Sequence, residues 1–159
     1  MANTFNRTAV ALLTVIGIGL SPGVTSHYDD KEVLQSYRQS WFTMVAVNFG
    51  PMVGMIQGKM AWNDEQMKAS ADQLATLASM DIAKGFSVGS EKGTTRAKPE
   101  IWENKADFEA KMDDMKKAAF ALQAAVATGD KDSIGKAVGA AGKSCKSCHD
   151  EYKSKDYLY

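Results

Sequence analysis

Residues 130–152 read DKDSIGKAVGAAGKSCKSCHDEY, with apolar or thiol side chains at Ile134, Val138, Ala141, Cys145, Cys148 and Tyr152. The intervals alternate between four and three, which is the period of one face of an α-helix and of no strand. The rest of the stretch is small or polar, so the helix buries a single stripe and needs other helices to cover it. Asp130 or Asp132, just after Gly129, supplies an N-cap.

Upstream, residues from about Asn104 to Thr128 repeat the pattern through Phe108, Met112, Met115, Ala119, Leu122 and Val126, and stop at Gly129. Before them, Asn63 followed three residues later by Gln66 is a capping-box start. That helix carries Met67, Ala71, Leu74 and Leu77 or Ala78, and is expected to end near Ile82. A first segment, about Asp29 to Gly58, places Leu34, Tyr37, Trp41, Met44, Asn48 or Phe49, Met52 and Met55 at helical spacing. Pro51 in it removes a backbone donor and predicts a kink or local tightening. Residues 83–103 are glycine-rich and polar, a long connection of the kind that often carries function. Four amphipathic helices with mostly short joints predict an all-α, antiparallel four-helix bundle.

Composition narrows the function classes. The 159 residues hold 19 basic and 19 acidic side chains, and the pI is near 6.7. Such a balance argues against a nucleic-acid footprint. Two cysteines, Cys145 and Cys148, exclude a disulfide-stapled scaffold. Residues 1–26 read as a secretory signal: Arg7, then the apolar run Thr8 to Leu20, then small residues before a cleavage point near Ser26. The run is too short to span a bilayer as a helix. The expected mature chain is 27–159, a single exported domain in the periplasm with no membrane insertion.

The chemistry sits in Cys145-Lys146-Ser147-Cys148-His149, the C-x-x-C-H pattern of c-type haem attachment. On a helix the two thiols share a face and reach two vinyl groups of one porphyrin, while His149 approaches the iron from below. Both cysteines fall on the inward stripe, so the haem is expected inside the bundle. Gly135, Gly139 and Gly142 give room for the macrocycle or, equally, close helix packing. A redox dithiol wants a helix N-terminus in a βαβ setting. A zinc site wants four ligands, and His27 is the sole further histidine. After His149 the chain reads DEYKSKDYLY, without Met, His or Cys, so a sixth iron ligand from the protein must come from upstream.

With these residues in view the mature chain resembles the cytochrome c′ family of class II c-type cytochromes. The likeness rests on Tyr37-Arg38-Gln39-Ser40, Asn48-Phe49-Gly50, Ala97-Lys98-Pro99-Glu100-Ile101-Trp102 and the C-terminal Cys-Lys-Ser-Cys-His-Asp-Glu-Tyr. The resemblance implies a homodimer packed through the first two helices. It also implies one covalent haem c, with five-coordinate, high-spin iron open to NO and CO. It assigns Cys145 and Cys148 to the thioethers, His149 to the proximal ligand, and Arg38, Gln39 and Thr95 (with Thr94 as alternate) to the haem propionates. Phe42 takes the distal position, where it cannot ligate iron. Lys153 stands where relatives often carry Arg, which keeps the charge and loses the planar fork.

The expected function is therefore a periplasmic gas-binding haem protein, with NO buffering or electron transfer to an unidentified redox partner, and no enzyme turnover. The alternative is a low-spin electron carrier whose sixth ligand is a methionine of the first helix: Met44, Met52 or Met55.

Overall fold

A computed structural model describes residues 32–159; the segment read as a secretory signal lies outside the described residues. Four long helices form the bundle: α1 (Val33–Ile56), α2 (Asp64–Ser79), α4 (Lys105–Thr128) and α5 (Lys131–Tyr152). Between α2 and α4 the chain makes a 3-10 turn (Ile82–Phe86) and a short helix α3 (Glu100–Glu103). The expected antiparallel four-helix bundle is the observed fold. α4 packs along both α2 and α5, and α1 packs along α2. Against α5 the packing of α1 is looser, and a large cavity opens between them.

The ends of the helices follow from their capping residues. Asn63 Oδ1 accepts from the Gln66 N–H at 2.8 Å and starts α2. Asp130, rather than Asp132, starts α5, accepting from the Ser133 N–H at 3.0 Å. Gly129 ends α4 in the left-handed region at φ 71°, a conformation that costs a glycine little. α1 runs on through Pro51 to Ile56. α2 stops at Ser79, before Ile82, because the Met80 backbone turns extended; Ile82 is still buried, as the first residue of the 3-10 turn.

One position of the α1 stripe is corrected. Met44 is 41% exposed, and the inward residues run Trp41, Val45, Phe49, Met52 and Met55. Steps of four, four, three and three stay close to the true 3.6-residue period. A step of three from Trp41 to Met44 runs ahead of it.

The core has two parts. At one end Met52, Met67, Leu74, Leu122, Ile134 and Val138 pack together. At the other, Trp41, Ile82, Phe86, Ile101, Phe108 and Tyr152 form an aromatic cluster. Its rings meet edge to face, Phe86–Phe108 at 4.7 Å and Phe108–Tyr152 at 5.5 Å between centroids. Phe86 and Ile101 belong to the long connection, which therefore closes this end of the bundle. Backbone bonds tie it to the chain after α5: Lys98 N to Tyr152 O, Ser154 N to Arg96 O and Leu158 N to Thr95 O. Gly85 lets the connection approach α1, since a Cβ there would sit 3.0 Å from Arg38 Cβ.

Of the three glycines on α5, none lines the large cavity. A Cβ at Gly135 would meet Ile56, and one at Gly142 would meet Phe49. Both would be ordinary van der Waals contacts, and nothing lies within 4 Å of a Cβ at Gly139, so the space around these glycines does not require them.

Candidate functional site

The large cavity has a volume of about 460 Å³, within the ~300–1,000 Å³ usual for cofactor sites. All seven residues that the sequence singled out line it: Arg38, Gln39 and Phe42 from α1, Thr95 from the long connection, and Cys145, Cys148 and His149 from α5. Their convergence follows from helix direction. The first half of α1 and the last half of α5 lie at the same end of an antiparallel bundle, and the connection folds over that end.

On the α5 wall both cysteine side chains are half-buried. Burial raises the pKa of each, that of Cys148 to about 11, so both are neutral thiols at pH 7. Burial also lowers the pKa of His149, and the nearby charges of Lys153 and Arg96 push the same way. The imidazole is thereby held neutral, with a lone pair free for a metal. Across the cavity the Phe42 ring faces it at 6.3 Å between centroids, inclined at 63°. Phe42 is fixed by edge-to-face contacts with Trp41 at 4.9 Å and Phe86 at 6.5 Å.

Arg38 is the electrostatic anomaly. It is 2% exposed and its guanidinium donates only to neutral acceptors. Nη1 reaches Gly85 O at 2.7 Å and Ser90 Oγ at 3.0 Å; Nη2 reaches Ser90 O at 2.9 Å and Thr95 Oγ1 at 2.7 Å. The rings of Phe86 and Trp102 lie 5.1 and 5.6 Å from its central carbon. Burial lowers its pKa to about 10, only partly countered by Glu91. Thr95 Oγ1 also accepts from the Ala97 N–H at 3.1 Å, which leaves the hydroxyl proton free to donate. Beside them Gln39 Nε2 donates to Thr94 O at 2.5 Å, so Thr94 contributes its carbonyl here while the Thr95 side chain lines the cavity.

These features fit haem c. Two thiols lie one turn apart on a mostly apolar wall, a neutral imidazole follows them, and a buried cation beside a free hydroxyl on the same lining suits carboxylates. Among the described residues no cluster of three or more His, Cys, Asp or Glu could hold a metal ion by itself.

The methionines of α1 sit elsewhere. Met52 and Met55 are buried in the far core, Met55 Sδ accepting from the Asn63 N–H at 3.3 Å, and Met44 faces outward. Met112 and Met115 of α4 line the cavity, as do Lys111, Tyr152, Lys153 and Tyr157. Sequence reading took the two methionines and Tyr152 as core, which their helical spacing equally allows. Lys111 and Tyr157 carried no signal: one depends on the α4–α5 pairing, the other on the Leu158–Thr95 backbone bond.

Comparison with known proteins agrees with this geometry. The cytochrome c′ family model matches residues 34–153. Cytochrome c′ of Alcaligenes xylosoxydans xylosoxydans is 39% identical over 119 residues, covering 75% of this chain and 91% of that protein. The solved cytochrome c′ of Shewanella frigidimarina superposes with a TM-score of 0.76 at 38% identity, covering 80% of this chain and 99% of that one. Variants of the Alcaligenes xylosoxidans protein have been solved with bound NO (TM-score 0.72, 36% identity, covering 81% of this chain and 99% of that one) and with bound CO (0.71, 37%, 80% and 99%). The match runs from the first turn of α1 to the residue after α5, and on it the chain belongs to the cytochrome c′ family, whose cofactor is covalently attached haem c.

Proposed function

We propose that this chain is a periplasmic haem protein that binds NO and CO on the Phe42 side of the cavity, with NO buffering or electron transfer as its role and no enzymatic turnover. Residues 1–26 would be the export signal and 27–159 the mature domain. Among the described residues no helix is long and apolar enough to cross a membrane. The redox partner is an unidentified periplasmic protein.

Haem, when bound, supplies an iron with one coordination position left for a small gas. Cys145 and Cys148 would attach it through thioethers, and His149 would offer its neutral imidazole to the iron. Arg38 and Thr95, with Gln39 beside them, hold the carboxylate arms. A carboxylate there relieves the buried guanidinium, because a forked cation suits a carboxylate better than neutral carbonyls. Phe42 opposite His149 carries no donor, so it cannot ligate the iron. Nor can it hydrogen-bond bound O2, whereas NO and CO need that help less. The observation that carries the five-coordinate reading is this ring facing His149, with Met44, Met52 and Met55 all absent from the walls.

The α1 helix supports a homodimer. Arg38 is its one charged residue among 24, and it is buried, so the outer face of α1 offers a second copy no charge.

The test is the visible spectrum of the haem-loaded protein, ferric and ferrous, with and without CO, for wild type and Phe42→Ala. A high-spin ferrous spectrum that shifts with CO is expected. Phe42→Ala should raise the CO association rate about tenfold, equivalent to ~1.4 kcal/mol of barrier. A low-spin spectrum indifferent to CO, turned high-spin by Met112→Leu or Met115→Leu, would establish the electron-carrier alternative with an α4 ligand.

A further inference from the structure

Beside the haem cavity lies a second, much smaller one of about 30 Å³. Trp41, Leu74, Ala78, Leu122 and Ala141, all buried, line it at the junction of the two core clusters, and it is partly open rather than sealed. It shares Val45, Phe49, Met115 and Cys145 with the large cavity, so the two adjoin at these residues.

The small cavity has room for a water, which needs ~10–15 Å³, but not the chemistry to keep one. A buried water requires two to four polar partners. The strongest polar group on these walls is the Trp41 indole N–H, and it is spent on Leu77 O at 3.0 Å. Phe49 and Met115 offer a soft partition: Phe49 is half-buried against Gly142, where a ring edge lies 3.7 Å from a would-be Cβ, and Met side chains repack readily. Apolar cavities of this kind stay dry and accept apolar guests such as xenon. A diatomic gas has the right size and needs no hydrogen bond.

We infer that this second cavity is a docking site for an apolar diatomic gas, NO or CO, held apart from the iron. The inference rests on the proposal that those gases reach this haem. A gas leaving the crowded Phe42 side then has a compartment inside the bundle from which it returns, instead of escaping to solvent.

Crystals of the haem-loaded protein under xenon pressure test the site itself. A xenon peak between Trp41, Leu74 and Leu122 is expected, lost in Ala78→Val and strengthened in Leu122→Ala. Absence of that peak in the wild type overturns the inference, whatever the iron binds. Nanosecond photolysis of the CO complex tests its use. The wild type should show a geminate rebinding phase that is lost both in Ala78→Val and in xenon-saturated wild type. A geminate phase unchanged by either treatment also overturns it. If CO does not bind the ferrous protein at all, the functional proposal fails and the gas-docking role fails with it, while a xenon peak would still establish the cavity.

Discussion

At the scale of single residues, Arg38 holds the long connection to α1. Its guanidinium bonds draw together Gly85, Ser90 and Thr95, three points on a segment with little regular structure. Hydrogen bonds from a charged donor contribute ~1.5–3 kcal/mol each, and leaving a buried acceptor unpaired costs ~1–3 kcal/mol. Arg38→Met keeps much of the side-chain volume and removes every donor. It should lower the stability of the haem-loaded protein by about 3 kcal/mol, read from the urea midpoint, and leave the thioether attachment intact. A loss under about 1 kcal/mol would mean that the connection is held by its apolar anchors, Phe86 and Ile101, instead. The sequence marked Arg38 only through a family resemblance, since an arginine beside tyrosine and glutamine on a helix reads as an ordinary surface charge. Burial comes from the fold-back of residues 82–99, and no local pattern encodes that. The C-x-x-C-H stretch differs, because there the chemistry and the helical period lie in the same five residues.

At the scale of elements, the seam between α4 and α5 behind the haem cavity is polar as well as apolar. Tyr152 donates to Asp107 Oδ2 at 2.6 Å, and Lys111 bridges Asp107 at 3.4 Å and Glu151 at 3.3 Å. The Tyr152 bond, then Lys111, hold the Asp107 carboxyl below its ordinary value of 3.8, while burial pushes the Tyr152 phenol well above its usual range. A depressed carboxylate stabilises the fold above its unfolded value, and that contribution is lost as pH falls through the folded value. Asp107→Asn should therefore lower the urea midpoint at pH 7, with the gap from wild type narrowing as pH drops below about 4. A gap of equal size at pH 7 and pH 3 would make the loss one of packing and not of charge. The helices of this seam were legible in the sequence: both stripes kept their alternation, and Gly129 with Asp130 marked the joint. Hidden was the route from α2 to α4, because the 3-10 turn and α3 are too short to carry a period. Met44 also misled, since on the outer face of α1 an apolar residue lies next to an apolar stripe.

At the scale of the whole molecule, that outer face carries no charge. α4 alternates lysines with acids and ties them in ion pairs such as Lys117–Asp113 at 2.7 Å. α1 exposes Val33, Met44 and Val47, at 47%, 41% and 63%, with serines between. Interface cores are depleted in charge, and a stable pair needs roughly 800 Å² per partner. A helix of 24 residues lying against its copy supplies a face long enough for that. Val47 is its most exposed apolar residue and points away from the haem cavity, whose walls it does not join, so it separates assembly from cofactor chemistry. Sedimentation equilibrium of the haem-loaded protein at micromolar concentration should give a dimer, and Val47→Glu a monomer. An isologous contact brings both copies of a central residue close to the axis, so one substitution buries two like charges. The visible spectrum of Val47→Glu should match wild type. A wild-type monomer, or a Val47→Glu protein that stays dimeric, would send the apolar face of α1 to a different partner.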